Sequence, residues 1–440
     1  MSTPAHGGCA TACLSLVITV FQLASRGSTL HLTRSVDGIP QLCHSGHVLP
    51  LVIIPGAQKC ATTSLFWTLR DYYVRSGFVV PKHKELHFFD YKMRSCYRPS
   101  FSSEEHKRCL GAYSNKFPKY DRKLAQLAMD ATPAYMRMQY VFEILRGFYA
   151  GHAGLLNFIV CVRNPTNRMR SSFEMKADRS LMRNDTVPPI SIDQWARAEL
   201  DSACACFRTR ASSVAEGGVK MCGGRAQPEW SEDAVSQCIL GKWHSPGQAV
   251  YAGLYVHALR NIVQHFRPSQ VSLIFMSLYV HRTDAVLKDI VRLITSGISG
   301  PTGAAPSKSP GDSRTQSVPG DNDVGGASNA TSSTTLLTSK DKQVHHVGAN
   351  FSEATRMKLD TFFAPFNHEF VRFVASDECH GIHIPGRLPM VTSEAGPERL
   401  QESHDGVAVH TTVSGSAAES SRTSSTSLMM LTLLDDLLWV

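Results

Sequence analysis

The chain contains 440 residues, 42% of them hydrophobic, which is enough for one large domain or two smaller ones with a substantial core. A formal net charge of +8 suits a protein that handles anionic ligands. The sequence has no basic run interleaved with aromatic residues, which argues against a nucleic-acid partner.

The first residues predict a targeting segment. Residues 9–24 are apolar and carry no charged side chain, and Arg26 follows shortly after them. This segment is shorter than the ~20 residues of a membrane span and has the length of a signal-peptide core. We therefore predict a signal anchor, which would attach the chain to a membrane, or a cleaved signal peptide. Residues 25–47 show little periodicity and are interpreted as a stem, so that residues 1–47 precede the folded domain.

A buried strand, a glycine turn and a hydroxyl-rich helix start follow one another between residues 48 and 65. The apolar run 51–54 predicts a strand buried on both faces of a parallel sheet, and it stops at Pro55-Gly56. Thr62, Thr63 and Ser64 then open an amphipathic helix. Backbone N–H groups and a helix N-terminus converge at such a turn, so that together with Lys59 they predict an anion site. An ordinary turn with a capping threonine is the alternative.

Strands and helices alternate along the rest of the chain, which predicts an α/β fold. Further strands are predicted at 78–81, 124–129, 155–162 and 271–276, and helices at 62–74, 136–149, from 165 onward, 191–203, 248–266, 284–295 and 351–374, the last broken at Pro365. Residues 92–122 are interpreted as a loop insertion, and the Gly/Ser/Thr/Pro-rich residues 297–342 as disordered. One domain is thus predicted over 48–385, with an insertion at about 297–345, followed by a low-complexity tail over 386–440.

The sequence contains 12 cysteines, and none has the spacing of a zinc site. Most of those within the domain fall into two groups, Cys96 with Cys109 and Cys204 with Cys206, Cys222 and Cys238. The grouping favours loop-closing disulfides in an oxidising lumen, and buried free thiols are the equal alternative. Sequons at Asn184, Asn329 and Asn350 are compatible with a lumenal glycoprotein.

A second anion site is predicted after the strand at 155–162. Arg163 ends that strand, and Ser171 lies in the helix that follows, where both side chains can hold a phosphate group. Three arginines on a solvated helix face are the alternative. The first loop lacks the GxxxxGK[ST] pattern, and the ends of the most apolar strands offer Pro55 and Arg163 rather than an Asp for magnesium. The pair of sites therefore suits a phosphate ligand that needs no metal.

Four motifs resemble those of the sulfotransferases that use 3′-phosphoadenosine 5′-phosphosulfate (PAPS). PGAQKCATTSL, at 55–65, resembles their 5′-phosphosulfate loop, and VRNPTNRMRSSF, at 162–173, resembles their 3′-phosphate motif. Between these, KELHFFD at 84–90 resembles the segment that supplies the catalytic base in Golgi glycan sulfotransferases, and DATPAYM at 130–136 is similar to their TPxY segment. The resemblance is greatest to the heparan and chondroitin/dermatan sulfate branch and weakens after residue 180.

The resemblance implies a three-layer, P-loop-like α/β fold with a central parallel sheet flanked by helices. It implies transfer of a sulfuryl group from PAPS to a glycan hydroxyl, without a metal, by a lumenal domain at the Golgi membrane. Lys59, Glu85 and His87 would be catalytic, with Glu85 as general base and His87 and Asp90 orienting it or the sugar. The residues implied to bind the donor are Gly56, Lys59, Cys60, Ala61, Thr62, Thr63, Ser64, Arg163 and Ser171.

One position departs from the family pattern. Ala131 stands where the heparan 3-O-type members have a lysine, and Arg137 or Lys176 are candidates to supply the missing charge. Two other functions are kept as alternatives, and Ala131 supports only the second of them. One is a P-loop kinase, and the other is a non-catalytic nucleotide- or glycan-binding relative of the enzymes.

Overall fold

We describe a computed structural model of the chain. The structure describes residues 30–34, 40–72, 78–79, 81, 83–90, 102–121, 127–182, 190–211, 232–239, 247–297 and 350–386. The apolar segment 9–24, the predicted insertion at about 297–345 from residue 298 onward, and the tail after residue 386 lie outside these ranges. Within them, no helix has both the length and the apolar character required to cross a bilayer.

The described strands form a mixed sheet. They are β1 (His31–Arg34), β2 (Pro40–His44), β3 (His47–Gly56), β4 (Phe78–Val79), β5 (Leu127–Ala131), β6 (Asn157–Val162) and β7 (Val271–Phe275). The first half of β3 pairs antiparallel with β2, and β1 pairs antiparallel with β2. The second half of β3 lies between β5 and β6 in parallel register, while β4 pairs with β5 and β7 with β6. The end of β3 is therefore central to the parallel part of the sheet.

Helices connect these strands. They are α1 (Thr62–Tyr72), α2 (Ser103–Ser114), α3 (Gln139–Tyr149), α4 (Pro165–Met182), α5 (Ile192–Ala211), α6 (Glu232–Ile239), α7 (Gln248–Tyr251), α8 (Tyr255–His265), α9 (Met276–His281), α10 (Thr283–Gly297) and α11 (Glu353–Val374). The predicted start at Pro165 is confirmed, because proline suits the first turn of a helix and the Asn164 side chain accepts a hydrogen bond from the Asn167 amide at 3.0 Å.

Two hydrophobic clusters form the core. The larger surrounds the sheet, where residues 51–54 of β3 and 158–162 of β6 are almost completely buried, as expected for parallel strands covered on both faces. The smaller lies among α4, α5, α7 and α11 and includes Met169, Phe207 and Phe362. Helices from the second half of the chain are held in place by packing into these two clusters.

The predicted stem and the predicted parallel sheet both need correction. Strands β1 (31–34) and β2 (40–44) form a pair on the sheet, and Leu42 is fully buried opposite Leu49. The pair escaped prediction because strands of four and five residues are too short to show a period. As a result the sheet is mixed and begins before residue 48.

The predicted loop insertion at 92–122 contains helix α2. Its start carries a capping box, in which the Ser102 hydroxyl accepts a hydrogen bond from the Glu105 amide at 3.2 Å and the Glu105 carboxylate accepts one from the Ser102 amide at 3.0 Å. Leu110 and Tyr113 bury one face of the helix. The polar residues on its other face concealed this pattern in the sequence.

Two helix boundaries also differ from the prediction. The stretch 248–266 is divided into α7 and α8. Gly253 lies between these helices and packs so closely against Phe363 that a Cβ atom would lie 2.9 Å from the ring. The predicted break at Pro365 is wrong, since α11 continues through this residue. Buried phenylalanines on both sides of it, Phe363 and Phe366, hold the helix in the core despite the missing amide donor.

Both alternatives for the cysteines occur. Cys206 in α5 and Cys238 in α6 form a disulfide with a Cα–Cα distance of 5.9 Å. Cys109 and Cys204 each take part in a separate disulfide. Free, buried thiols are found at Cys43, Cys60, Cys161 and Cys379. The first disulfide joins two helices that are otherwise connected by a long segment.

Candidate active site

The loop between β3 and α1 has the backbone shape of an anion site. Lys59 and Ala61 adopt left-handed conformations with φ of 70° and 59°. Such turns direct successive N–H groups toward one side, and helix α1 begins immediately afterwards at Thr62. The amide of Ala57 donates a hydrogen bond to the Cys161 carbonyl oxygen at 2.7 Å, which fixes the loop to β6. The loop thus sits at the carboxyl edge of the parallel strands.

Gly56 is required by close packing at the start of this loop. A Cβ atom at this position would lie 2.6 Å from the Cβ atom of Met136 and 3.1 Å from the Pro133 carbonyl oxygen. The segment after β5 therefore packs directly against the loop. Any larger residue at 56 would displace one of them.

The structure brings the two predicted phosphate motifs together. A guanidinium nitrogen of Arg163 lies 3.5 Å from the Lys59 carbonyl oxygen. The hydroxyl of Tyr255, in α8, donates to the Arg163 carbonyl oxygen at 2.8 Å and lies 3.7 Å from the buried Cys60 thiol. Burial raises the pKa of that thiol despite the nearby charges of Arg168, Arg163 and Lys59, so it stays protonated. Tyr255, which the sequence did not single out, therefore connects both motifs.

The hydroxyl groups predicted to bind phosphate have different environments. Thr62 is buried, whereas Thr63 is exposed at the first turn of α1. The Ser64 hydroxyl lies 3.3 Å from the hydroxyl of Tyr279 in α9. Ser171 is half-buried in α4, and among the described residues no hydrogen bond joins it to the loop or to Arg163. The contacts thus unite the loop with Arg163 but not with Ser171.

Glu85, His87 and Asp90 form a connected group of charges. One Glu85 oxygen lies 2.6 Å from the Lys84 ammonium, and the other lies 3.7 Å from Nε2 of His87. Nδ1 of His87 is 2.7 Å from an oxygen of Asp90, which is buried. Glu85 and His87 both have left-handed backbone conformations, with φ of 64° and 49°. These conformations turn both side chains toward each other over a short segment.

The charges in this group shift its pKa values in opposite directions. Burial raises the pKa of Glu85, but the interactions with His87 and Lys84 outweigh it and lower the value to about 2. The hydrogen bond to Asp90 and the interaction with Glu85 raise the pKa of His87 to about 9 against the effect of burial. At neutral pH the group therefore contains an ionised Glu85 beside a charged His87.

Backbone contacts hold the Glu85 segment at the end of β5. The Glu85 amide donates to the Ala131 carbonyl oxygen at 3.1 Å. The amides of Phe88 and Phe89 donate to the Tyr135 hydroxyl at 3.2 and 3.4 Å. Because β5 is the neighbour of β3, this segment and the loop after β3 share one edge of the sheet.

Asp130 also belongs to this site, although the sequence analysis assigned it no role. It is completely buried and accepts hydrogen bonds from the hydroxyls of Tyr113 at 2.8 Å, Thr132 at 2.8 Å and Tyr135 at 3.1 Å. Burial, offset in part by these hydrogen bonds, raises its pKa to about 6. Its position near a strand end, two residues before Thr132-Pro133, was the available signal. Three hydroxyl donors occupy the carboxylate, which therefore supports the segment instead of facing a ligand.

The two residues considered as substitutes for the family lysine lie in different places. Arg137 lines a narrow cavity together with Gln58 of the loop and Tyr255. Lys176 is exposed, pairs with Glu199 at 3.2 Å and lies 5.0 Å from the ring centre of Trp195. Of the two, Arg137 is next to the loop. Among the described residues, no group of His, Cys, Asp and Glu side chains has the arrangement of a metal site.

This chain has weak structural similarity to a known protein. No protein-family model matches the sequence, and no curated protein matches it. Among solved structures, the crystal structure of a sulfotransferase from Alicyclobacillus acidocaldarius is similar to this chain, with 17% sequence identity and a TM-score of 0.41. The alignment covers 75% of this chain and 97% of the sulfotransferase chain. At these values the overlap carries neither a fold family nor an activity to this chain.

Proposed function

We propose that the chain is a sulfotransferase that moves a sulfuryl group from PAPS to a hydroxyl of a glycan, with a glycosaminoglycan-like polysaccharide as acceptor. One observation carries the proposal, namely the contact between Arg163 and Lys59 that joins the two phosphate motifs. A donor with phosphate groups at two positions needs two such sites close together. The proposal includes a three-layer, P-loop-like arrangement of helices around the sheet.

The residues of the loop suit the donor's phosphosulfate. Lys59 and the N–H groups of the left-handed turn would stabilise the negative charge that develops on the departing phosphate. Thr62, Thr63 and Ser64 would hold the 5′-phosphate at the start of α1, and Arg163 with Ser171 the 3′-phosphate. This distribution of positive charge needs no metal in the proposed reaction.

Glu85 is the proposed general base. The acceptor oxygen forms a bond to sulfur while the bond between sulfur and the 5′-phosphate oxygen breaks, and Glu85 takes the hydroxyl proton. The products are the sulfated glycan and 3′-phosphoadenosine 5′-phosphate. His87, held by Asp90 at 2.7 Å, orients Glu85, and its positive charge keeps the carboxylate ionised before the reaction.

The proposed location is the lumen of the Golgi, with the N-terminal segment as membrane anchor if it is not cleaved. The disulfide between Cys206 and Cys238 supports an oxidising compartment. Fractionation of cells that express the tagged full chain tests this location. A cytosolic distribution would contradict it.

The decisive experiment measures transfer of radiolabelled sulfate from PAPS to native and desulfated glycosaminoglycans. Glu85→Gln is expected to lower turnover by about 10²- to 10⁴-fold, the usual contribution of one positioned base. Binding of 3′-phosphoadenosine 5′-phosphate, measured by calorimetry, should remain unchanged in this variant. Turnover at the wild-type level in Glu85→Gln would refute the assignment of the base.

The same experiment distinguishes the alternatives. Binding of 3′-phosphoadenosine 5′-phosphate without transfer to any glycan would establish a non-catalytic relative. Transfer of phosphate from ATP that requires magnesium would establish a kinase. Absence of both binding and transfer would overturn the donor as well.

A further inference from the structure

A polar groove lies beside the candidate active site, between α3, α6 and α8. Its volume is about 500 Å³, within the range of about 300–1,000 Å³ that ligand sites commonly have. Side chains that donate and accept hydrogen bonds line it, among them Gln139, Tyr140, Gln237, Asn261, Gln264 and His265. The groove is therefore large enough and polar enough to bind part of a ligand.

The groove is continuous with the site at two points. The hydroxyl of Tyr140 donates to the carbonyl oxygen of Asp90 at 2.8 Å, and Asp90 is the residue that holds His87. Gln139 and Asn261 also line the narrow cavity next to Gln58 of the phosphate loop. One end of the groove thus adjoins the Asp90 end of the Glu85 segment and the cavity beside the donor loop, and α8 leads away from this end toward Gln264.

Two contacts fix the walls of the groove. The amide nitrogen of Asn261 donates to the Gln139 carbonyl oxygen at 2.9 Å, which holds α8 against α3. The disulfide between Cys206 and Cys238 holds α6, which contributes Gln237, to α5. Each of the three walls therefore takes part in a specific bond.

The lining indicates the chemistry of the ligand. Arg260 contributes little net charge because it pairs with Glu369 at 2.7 Å. Burial lowers the pKa of His265, which favours its neutral form. The remaining lining groups include the carboxylate of Glu143, the hydroxyls of Tyr140 and Ser236, and the amides of glutamine and asparagine side chains. These groups suit the hydroxyl and amide groups of sugars, and the carboxylate disfavours a dense array of sulfates.

We infer that this groove binds the part of an oligosaccharide acceptor that extends away from the reacting sugar. The inference rests on the proposed function and adds to it a location and a length requirement. His257 lines both the groove and the narrow cavity beside the loop, and Gln264 lies seven residues beyond it in α8, about 10 Å along the helix. A short acceptor reacts near Glu85 without reaching Gln264, whereas a longer one contacts both.

The test compares a disaccharide with an octasaccharide prepared from the glycosaminoglycan that accepts sulfate. Gln264→Ala and His265→Ala are each expected to raise KM for the octasaccharide about three- to tenfold, the effect of one lost hydrogen bond. KM for the disaccharide, KM for PAPS and kcat should stay at wild-type values. His368→Ala, at an exposed position of α11, is the matched control and should change none of them.

The outcomes separate the groove from the reaction. Transfer of sulfate with the same dependence on chain length in both variants and the wild type would overturn the groove and leave the proposed function intact. If no glycan accepts sulfate, the proposed function fails, and fluorescent octasaccharides of heparan, chondroitin and dermatan are titrated directly. Binding that weakens in Gln264→Ala supports the groove, and absence of binding or equal binding overturns it.

Discussion

The hydroxyl of Tyr255 donates a hydrogen bond to the carbonyl oxygen of Arg163 at 2.8 Å and lies 3.7 Å from the Cys60 thiol. One side chain from α8 therefore spans the two loops that are proposed to hold the donor. These loops are separated by about a hundred residues in the sequence, since Lys59 and Arg163 are 104 positions apart. Their relative position depends on a residue that belongs to neither.

Tyr255→Phe is expected to weaken donor binding and to reduce stability by about 1 kcal/mol, because the Arg163 carbonyl loses its donor inside the protein. Titration with 3′-phosphoadenosine 5′-phosphate and thermal unfolding measure the two effects. Tyr251→Phe is the matched control, since the hydroxyl of Tyr251 is buried and has no hydrogen-bond partner among the residues that the structure describes. Equal effects of the two substitutions on donor binding would contradict the linking role of Tyr255.

Tyr135→Phe is expected to lower kcat, and Thr132→Val is not. Each substitution removes one hydroxyl donor from Asp130 and should cost about 1 kcal/mol of stability. Only the Tyr135 hydroxyl also accepts from the amides of Phe88 and Phe89, next to His87. Urea unfolding and steady-state kinetics of both variants make the comparison. A fall in kcat of the same size in Thr132→Val would show that loss of stability alone explains the effect.

The charge on His87 predicts a dependence of stability on pH. Its pKa is raised from 6.5 to about 9, so the protonated form is favoured by folding. The stabilisation is complete below pH 6.5 and is lost as the pH rises through about 9. The Tm of His87→Gln should accordingly fall below that of the wild type at pH 6 and approach it at pH 10. A difference that is constant across this range would contradict the charged state.

Lys84→Met is expected to make Glu85 a stronger base. Burial already raises the pKa of Glu85, and the lysine charge and its contact at 2.6 Å help to lower it to about 2. Without this charge the pKa rises, and the acidic limb of the kcat/KM profile should move to higher pH. Lys358→Met, at an exposed position of α11, is the control and should leave the profile unchanged. If the acidic limb of the kcat/KM profile does not move in Lys84→Met, Glu85 is not the group whose ionisation this limb reports.

Sequence patterns predict the parts of this fold in which local and tertiary preferences agree. Continuous apolar runs mark β3 and β6, since both strands are buried on both faces. Helix α11 differs from its prediction because Pro365 indicates a break locally, while the packing of Phe363 and Phe366 keeps the helix continuous. Tertiary contacts of this kind leave no trace in a single periodic pattern.

The residues of the candidate site also fall into those that the sequence predicted and those that it did not. The turn after β3 and the Arg after β6 were predicted because turn residues and charges stand out next to apolar runs, whereas the role of the Glu85 segment was predicted from the resemblance of KELHFFD to a known motif. Asp130 and Tyr255 were missed as functional residues, since each acts through partners that are distant in sequence or hidden in the core. Their roles depend on how β5 and α8 approach the loops.

The pairing of β2 with β3 determines where a functional fragment of this protein has to begin. A fragment trimmed to residue 48 would lack both β1 and β2, so that Leu49 would lose its partner Leu42 and half of β3 would become an exposed edge. Unpaired edges of this type promote aggregation during expression. Recombinant production of the domain should therefore start before Leu30, which is itself buried in the main core.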